Sequence, residues 1–469
     1  MNNRIHMLIG ATLLLFLTSL TFAQDTTEDR WQWIDENTSV TDDPRRVPIA
    51  PGPRGPEGVI VLLGGRVFTA TGDPTRKANL VIERNRIKAI LSPESSDWPE
   101  DAKLIDISGK TVIPGLIDLH VHMTQGDEPG PWTPGFIPGE DVVSANTEAD
   151  YTLIAAERMR YYIESGITSI RDLSSHGHIP FRIKEWSKRN RIPSPRIFSA
   201  GQFITSTGGH GAEQRFAHDP DFDPTRIVNG PDEWRQAVRE QFNKGADLIK
   251  LGSHFSREEV KAAIDEAHAL GMKVTVDSES FYTQWAVEAG ADMIEHPLPR
   301  TDETIALMAK KGVGSDPTLI PYHYIIDRAG GYYSTTSRRF TLTKESMMTM
   351  LRKLKEAQIK MGIGTDIWPG MHRFQPIPYI GELKLFVAAG FSIPEALMAA
   401  TKNGAQLLDM GDLLGTIEPN KLADVVVIDG QPDKNLDDLM KVDLVIKDGR
   451  IIVRGGRVNI PRHVPPETM

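Results

Sequence analysis

The stretch Thr111-Val-Ile-Pro-Gly-Leu-Ile-Asp-Leu-His-Val-His-Met123 decides how the chain is read. Its apolar run after the Pro114-Gly115 turn has the composition of a buried strand. Side chains alternate between the two faces of a strand, so His120 and His122 project to the same side. Two neutral imidazoles on one rigid element can give two nitrogens to one divalent cation. Spacing alone leaves a structural histidine pair open, because histidine also serves as an ordinary hydrogen-bonding residue.

Downstream, apolar runs alternate with helix-period segments, the signature of repeated βα units. Eight runs are predicted, over residues 111–123, 168–173, 196–203, 247–251, 273–276, 292–295, 313–319 and 363–366. Helices are predicted over 232–245, 256–270 and 345–361, the second opened by Ser256 and Glu259 at capping-box spacing. The expectation is an α/β protein with a (β/α)8 TIM barrel over residues 114–416, its chemistry at the C-terminal ends of the strands. A doubly wound open sheet is the competing architecture, but it gives no reason for an eighth strand.

Hairpin patterns flank this region. Residues 59–63 and 66–70 surround a predicted turn at Gly64-Gly65, residues 78–83 and 86–90 follow, and 425–428, 443–447 and 451–454 include a turn at Asp448-Gly449. Isolated hairpins are not stable in water. The two ends, residues 59–113 and 417–460, are therefore expected to join in one small β-sandwich domain.

Arg4 followed by an apolar run from Met7 to Phe22, ending Thr21-Phe22-Ala23, reads as a secretory signal over residues 1–23. An exported protein is expected, periplasmic or extracellular, with no stable membrane partner. Residues 24–58 are acidic and then rich in proline (Pro44, Pro48, Pro51, Pro53, Pro56), the composition of a linker. The 469 residues, 40% hydrophobic and 25% charged, have ordinary globular composition. A formal charge of -10 without a basic cluster argues against nucleic acid as partner. With no cysteine in the chain, disulfides, thiolate nucleophiles and Cys-based zinc sites are excluded together.

If the barrel is right, functional residues should recur at strand ends, and they do. His120 and His122 end the first predicted strand, Lys250 the fourth, Asp277 the fifth, His296 the sixth and Asp366 the eighth. Each has an ordinary alternative: Lys250 a snorkelling surface lysine, His296 a core histidine, Asp366 a helix cap. Their shared position at one rim favours a common site. His210 in Thr207-Gly-Gly-His210, Arg171 at the end of the second strand and Tyr322 beyond the seventh are candidate substrate contacts. Arg171-Asp172 also reads as a buried ion pair. His176-Gly-His178 reads as a loop and not as a metal site.

The segments Pro114-Gly-Leu-Ile-Asp-Leu-His-Val-His122, Asp247-Leu-Ile-Lys250, Ile294-Glu-His296, Gly364-Thr-Asp366, and Gly415-Thr-Ile-Glu418 through Leu422-Ala-Asp424 resemble the metal-dependent amidohydrolases. The imidazolonepropionase-like and prolidase-like branch is the nearest within that family. The resemblance runs from Val59 to about Val458, with the motifs in family order. It implies one or two divalent ions, zinc expected: His120, His122 and Asp366 as ligands to one, and a carboxylated Lys250 bridging to a second held by His296. Such cations lower the pKa of water, and Asp366 would carry the proton to the leaving nitrogen. Where the family places a histidine on the fifth strand, this chain has Asp277 in Val274-Thr-Val-Asp277. Carboxylate can ligate, but it is anionic where imidazole is neutral, so Asp277 is expected to favour harder ions or weaken the second position.

The resulting expectation is an exported metal-dependent amidohydrolase acting on a small amide, cyclic amide or dipeptide. The alternatives are a non-catalytic binding protein on a degenerate barrel, or a phosphoester hydrolase or isomerase on the same metal frame. A homo-oligomer is left open.

Overall fold

A computed structural model describes residues 55–125, 147–212, 219–333, 336–367 and 371–459. The expected signal segment and all but the last four residues of the proline-rich linker lie outside the described residues.

The chain begins with β1 (Val59–Val67), β2 (Arg76–Glu83), β3 (Arg86–Leu91), β4 (Lys103–Asp106) and β5 (Thr111–Pro114). The middle carries β6 (Leu116–Val121), β7 (Ile167–Asp172), β8 (Arg196–Ser199), β9 (Phe203–Thr205), β10 (Thr225–Ile227), β11 (Leu248–Gly252), β12 (Lys273–Asp277), β13 (Met293–Glu295) and β14 (Gly314–Asp316). It closes with β15 (Val425–Ile428), β16 (Val442–Lys447), β17 (Arg450–Arg454) and β18 (Arg457–Val458).

Both ends of the chain share one sheet, in the order β18-β17-β16-β15-β5-β1-β2-β3, with β4 parallel to β1. The ladder is continuous rather than split into two separately bonded sheets. Antiparallel pairing of β5 with β15 is the stitch between the ends. Leu62, Leu80 and Ile82 from one half share a core with Val425, Val427 and Leu444 from the other. The predicted turn at Gly64-Gly65 is instead an irregularity inside β1, where the register against β2 shifts between Leu62 and Gly65. Gly64 takes φ +73 there, a conformation glycine adopts without a Cβ penalty, and its N–H donates to Asn79 Oδ1 at 2.9 Å.

The stretch 111–123 is two strands, not one. Thr111–Pro114 belongs to the shared sheet, and Leu116–Val121 opens a parallel sheet, β6-β7-β8. A second sheet follows in the order β10-β9-β11-β12-β13-β14, with every pair parallel. The predicted third run, 196–203, breaks at residues 200–202 into β8 and β9. Asp247 N–H donates to Ser199 O at 2.8 Å, joining the end of β8 to the approach of β11. Residues 360–366 form no assigned strand, yet they are hydrogen-bonded on both sides. Ser315 N–H donates to Lys360 O (3.0 Å) on the β14 side, while Leu119 N–H reaches Ile363 O (2.8 Å) and Asp366 N–H reaches His120 O (2.7 Å) on the β6 side.

The intervening helices follow their apolar periodicity. Helix Arg257–Ala269 buries Val260, Ala263, Ile264 and Ala267, and these join the core that holds Ile249, Leu251, Val274 and Val276 of β11 and β12. Each such large aliphatic contributes about 1.5–3 kcal/mol when fully buried. Ser256 and Glu259 form the expected capping box at its start. The helix predicted over 345–361 is shorter, Lys344–Glu356, because the chain leaves it to run alongside β14. Among the described residues no helix is long and apolar enough to cross a membrane.

Candidate active site

All residues of β6 are buried, so His120 is held by packing as well as by the strand, and His122 follows directly after its last residue. His120 is fully buried and His122 is 9% exposed, and their rings lie 5.1 Å apart between centroids. Asp366 is brought to them by the backbone bond from its own N–H to His120 O. Its Oδ1 lies 3.0 Å from His122 Nε2 and 3.6 Å from His120 Nε2. Zinc bonds of about 2.0–2.2 Å at tetrahedral angles put neighbouring donor atoms about 3.3–3.5 Å apart. His120, His122 and Asp366 thus form a group able to hold one cation.

Which nitrogen of His120 faces this group is set from behind. Its Nδ1 lies 2.8 Å from Glu295 Oε2, both side chains fully buried. Donation from Nδ1 to that carboxylate leaves the Nε2 lone pair pointing into the site. Burial, and next the charge of Lys250, hold the His120 imidazole well below its ordinary pKa, which keeps it in the neutral, ligating form. Glu295 is itself anchored by Arg171 Nη2 at 2.6 Å and by the Thr275 hydroxyl. On the other flank, Asp118 accepts from Thr365 N (2.9 Å), Thr365 Oγ1 (2.6 Å) and His120 N (3.2 Å), clasping the histidine strand to the segment that carries Asp366. Burial pushes the Asp118 carboxyl up to about 7 against these bonds.

Lys250, 2% exposed, places Nζ 3.1 Å from His120 Nε2 and 4.7 Å from the Phe203 ring centre. His296 follows β13 with φ 64, its Nδ1 at 2.7 Å from Thr318 Oγ1 and its Nε2 at 3.2 Å from Asp277 Oδ2. Burial pushes Asp277 up, but the charges of His296 and His210 outweigh it and hold the carboxyl well below the usual carboxylate range. Asp366 is also lowered: burial raises it, and the hydrogen bond and charge of His122 reverse that. His296, Thr318 (φ 44) and Asp366 (φ 42) are all left-handed without being glycine. Such positions cost about 1–3 kcal/mol each and cluster at functional sites.

A cavity of about 460 Å³ opens onto His122, Lys250 and Asp366. His210 and Tyr322 line it; Tyr322 also packs edge-on to His296, with centroids 5.6 Å apart. Arg171 does not line it. It is 1% exposed behind the site, paired with Glu295 and, at 3.5 Å, with Asp316, so its expected substrate contact is corrected to a supporting one. Nor does Arg171 pair with Asp172, whose carboxylate accepts from Met123 N, Ser175 Oγ and Ser199 Oγ. His176 is a wall residue, stacked on Tyr151 with centroids 4.1 Å apart and bonded to Thr124 Oγ1. Sequence reasoning missed the roles of Glu295, Asp118, Thr318 and Tyr151. Glu295 and Asp118 lay inside the quoted motifs, beside the ligands themselves; Thr318, in Asp316-Pro-Thr-Leu319 at the end of the seventh predicted strand, read only as a candidate substrate contact, and Tyr151 carried no signal. A larger cavity, about 580 Å³ against the shared sheet, contains none of the candidate residues.

The Amidohydrolase family pattern matches residues 111–452. The chain belongs to the amidohydrolase family. This amidohydrolase is 26% identical over 401 residues to the imidazolonepropionase of Geobacillus kaustophilus, covering 78% of the chain and 86% of the relative. It is 25% identical over 414 residues to the ochratoxinase of Aspergillus niger, covering 80% and 82%. Among solved structures it is similar to a Xaa-Pro dipeptidase with bound methionine in the active site, with TM-score 0.73 and 26% identity, covering 84% of this chain and 99% of that one. These relatives put the amidohydrolase in the imidazolonepropionase-like and prolidase-like branch, as a hydrolase of carbon–nitrogen bonds.

Proposed function

We propose that this amidohydrolase cleaves the carbon–nitrogen bond of a small amide, cyclic amide or dipeptide, with His120, His122 and Asp366 holding a divalent cation, zinc by expectation, at the cavity floor. The observation that carries the proposal is the convergence of His120 Nε2, His122 Nε2 and Asp366 Oδ1 at ligand spacing on one cavity. A bound divalent cation polarises a carbonyl oxygen and lowers the pKa of water. The chain's own residues do the rest. Glu295 fixes the His120 tautomer, and Asp118 holds the two ligand segments in register. Asp366, kept as a carboxylate, accepts a proton and passes it to the leaving nitrogen. Tyr151, Phe203 and Tyr332 line the cavity with apolar surface that displaces water around the scissile amide.

Three further points belong to this proposal. The two parallel sheets and residues 360–366 form one closed (β/α)8 barrel, supported by the backbone bonds on both flanks of that segment. Lys250 is carboxylated, since a buried ammonium beside a cation site is electrostatically unfavourable and no carboxylate pairs with it among the described residues. Loss of one CO2 from the intact-protein mass on acidification is the expected signature. The chain is exported by its leading segment, so a periplasmic or extracellular product beginning at Gln24 is expected, and a cytoplasmic product beginning at Met1 would refute it.

The test of the reaction is amine release from a panel of dipeptides, N-acyl amino acids and lactams, with Asp366→Asn as control. The variant is expected to lose about 10²–10⁴ in kcat, the range for a positioned acid–base group. Full activity in Asp366→Asn with its cation bound would overturn the mechanism.

A further inference from the structure

We infer that the chain offers two chemically unequal cation positions, and that the second, built on Asp277 and His296, is the oxygen-richer one and shifts preference from zinc toward harder divalent ions such as manganese. The inference rests on the proposed function and extends it to the metal complement.

Asp277 is 2% exposed, yet its Oδ2 takes part in no hydrogen bond among the described residues. Burying a carboxylate oxygen without a donor removes its hydration and returns nothing. The same oxygen lies 3.2 Å from His296 Nε2 and 3.8 Å from His210 Nε2. The 3.2 Å contact has the length of a hydrogen bond but not the alignment. His296 is not free to turn toward it, because its Nδ1 is engaged by the Thr318 hydroxyl at 2.7 Å.

Two electron-pair donors a little over 3 Å apart, not aimed at one another, describe an edge of a coordination polyhedron, where donors on one ion stand about 3.3–3.5 Å apart. A bridging water describes the pair less well. Two hydrogen bonds of about 2.8 Å at a tetrahedral oxygen would hold the partners about 4.5 Å apart. The arrangement therefore fits a cation better than a solvent molecule. It also gives the substitution on β12 a function: the carboxylate stands where the resemblance implies an imidazole, and it faces the other expected ligand of that position.

The two positions then differ in kind. The first has two imidazole nitrogens and one carboxylate oxygen, from His120, His122 and Asp366. The second has one of each from Asp277 and His296, so oxygen makes up a larger share of its donors, and a carbamate oxygen of Lys250 given to both positions leaves that order unchanged. Nitrogen-rich sites suit zinc, and carboxylate-rich sites suit manganese and magnesium.

The experiment titrates metal-free full-length protein with zinc and with manganese. Elemental analysis counts bound ions, and the electron paramagnetic resonance of free Mn(II) reports the second metal directly. Wild type is expected to bind two equivalents, with a zinc-over-manganese affinity ratio at least tenfold smaller at the second position than at the first. Asp277→Asn, of equal size, should weaken the second equivalent at least tenfold for both ions and leave the first intact. Asp277→His should raise the second-position ratio at least tenfold. A second equivalent unchanged in Asp277→Asn, an equal ratio in wild type and Asp277→His, or a single equivalent in wild type would each overturn the inference while leaving the proposed function standing. No bound ion at all would remove both.

Discussion

Replacing Glu295 by glutamine should weaken cation binding at His120 without touching a ligand atom. The wild-type carboxylate serves three donors with two oxygens. Oε2 accepts from His120 Nδ1, and Oε1 accepts from Arg171 Nη2 and the Thr275 hydroxyl. In the variant the one amide oxygen must stay with Arg171 and Thr275, because an amide nitrogen cannot accept. The NH2 group then faces His120 Nδ1, which has to become the acceptor. The ring proton moves to Nε2, the atom 3.6 Å from Asp366 Oδ1, where a cation would need the lone pair. Turning the amide over instead sets its NH2 against Arg171, two donors with no acceptor. Loss of an outer carboxylate on a ligating histidine costs about 10–100-fold in metal affinity, or about 1.4–2.7 kcal/mol. Arg171 also keeps Asp316 Oδ2 at 3.5 Å; burial and then Glu295 push that carboxyl well above the carboxylate range, and the substitution removes the second of these causes. Competition with a chelator of known affinity measures the cation Kd. Thr275→Val is the control: it takes a hydroxyl from the same carboxylate and should lower Tm while leaving Kd within about threefold. A Glu295→Gln protein that binds its first cation within twofold of wild type would refute the tautomer argument.

Other outcomes follow from neighbouring contacts. Glu382, fully buried, accepts from the N–H groups of Leu319 (2.9 Å) and Ile320 (2.7 Å) at the start of the helix that follows Thr318, and burial pushes its carboxyl up to about 8. Its folded value lies above the ordinary 4.5, so its contribution to stability is fully present at low pH and is lost between about 4.5 and 8, by at most about 5 kcal/mol. Glu382→Gln should flatten that part of the Tm-against-pH curve, and an unchanged slope would count against it. Asp118→Asn can keep both backbone donors on Oδ1 and reverse the Thr365 hydroxyl bond, so it should cost under about 1 kcal/mol, whereas Asp118→Ala strands buried donors and should cost about 2–4 kcal/mol by urea unfolding. Equal losses in the two would deny the clasp. Gly449 has φ +71 in the β16–β17 turn, and a Cβ there would lie 1.9 Å from Arg84 O, so Gly449→Ala should lower stability by more than about 2 kcal/mol. A wild-type Tm in that variant would refute the turn geometry.

The sequence by itself settled the alternation of strand and helix, the pooling of the two chain ends into a small β unit, and the metal-type residues at strand ends. These are local properties: period-two alternation put His120 and His122 on one side of a strand, and the capping box at Ser256 needs only residues three apart. Segment boundaries were less legible where a local signal has two outcomes. Gly64-Gly65 suits a turn or a bulge, and pairing with Ala78 chose the bulge. Pro114-Gly115 suits a bend within a strand or a border between two sheets, and the partners of β5 and β6 made it a border. What only the tertiary structure decided is who stands behind the ligands. Arg171, Glu295 and Asp316 lie on three different strands, and Glu382 is 62 residues from the nearer of the two N–H groups it serves. A charge in sequence looks the same whether it meets substrate or a buried partner. The difference is made by the residues that distant segments bring against it, and that choice rests on packing of the whole core.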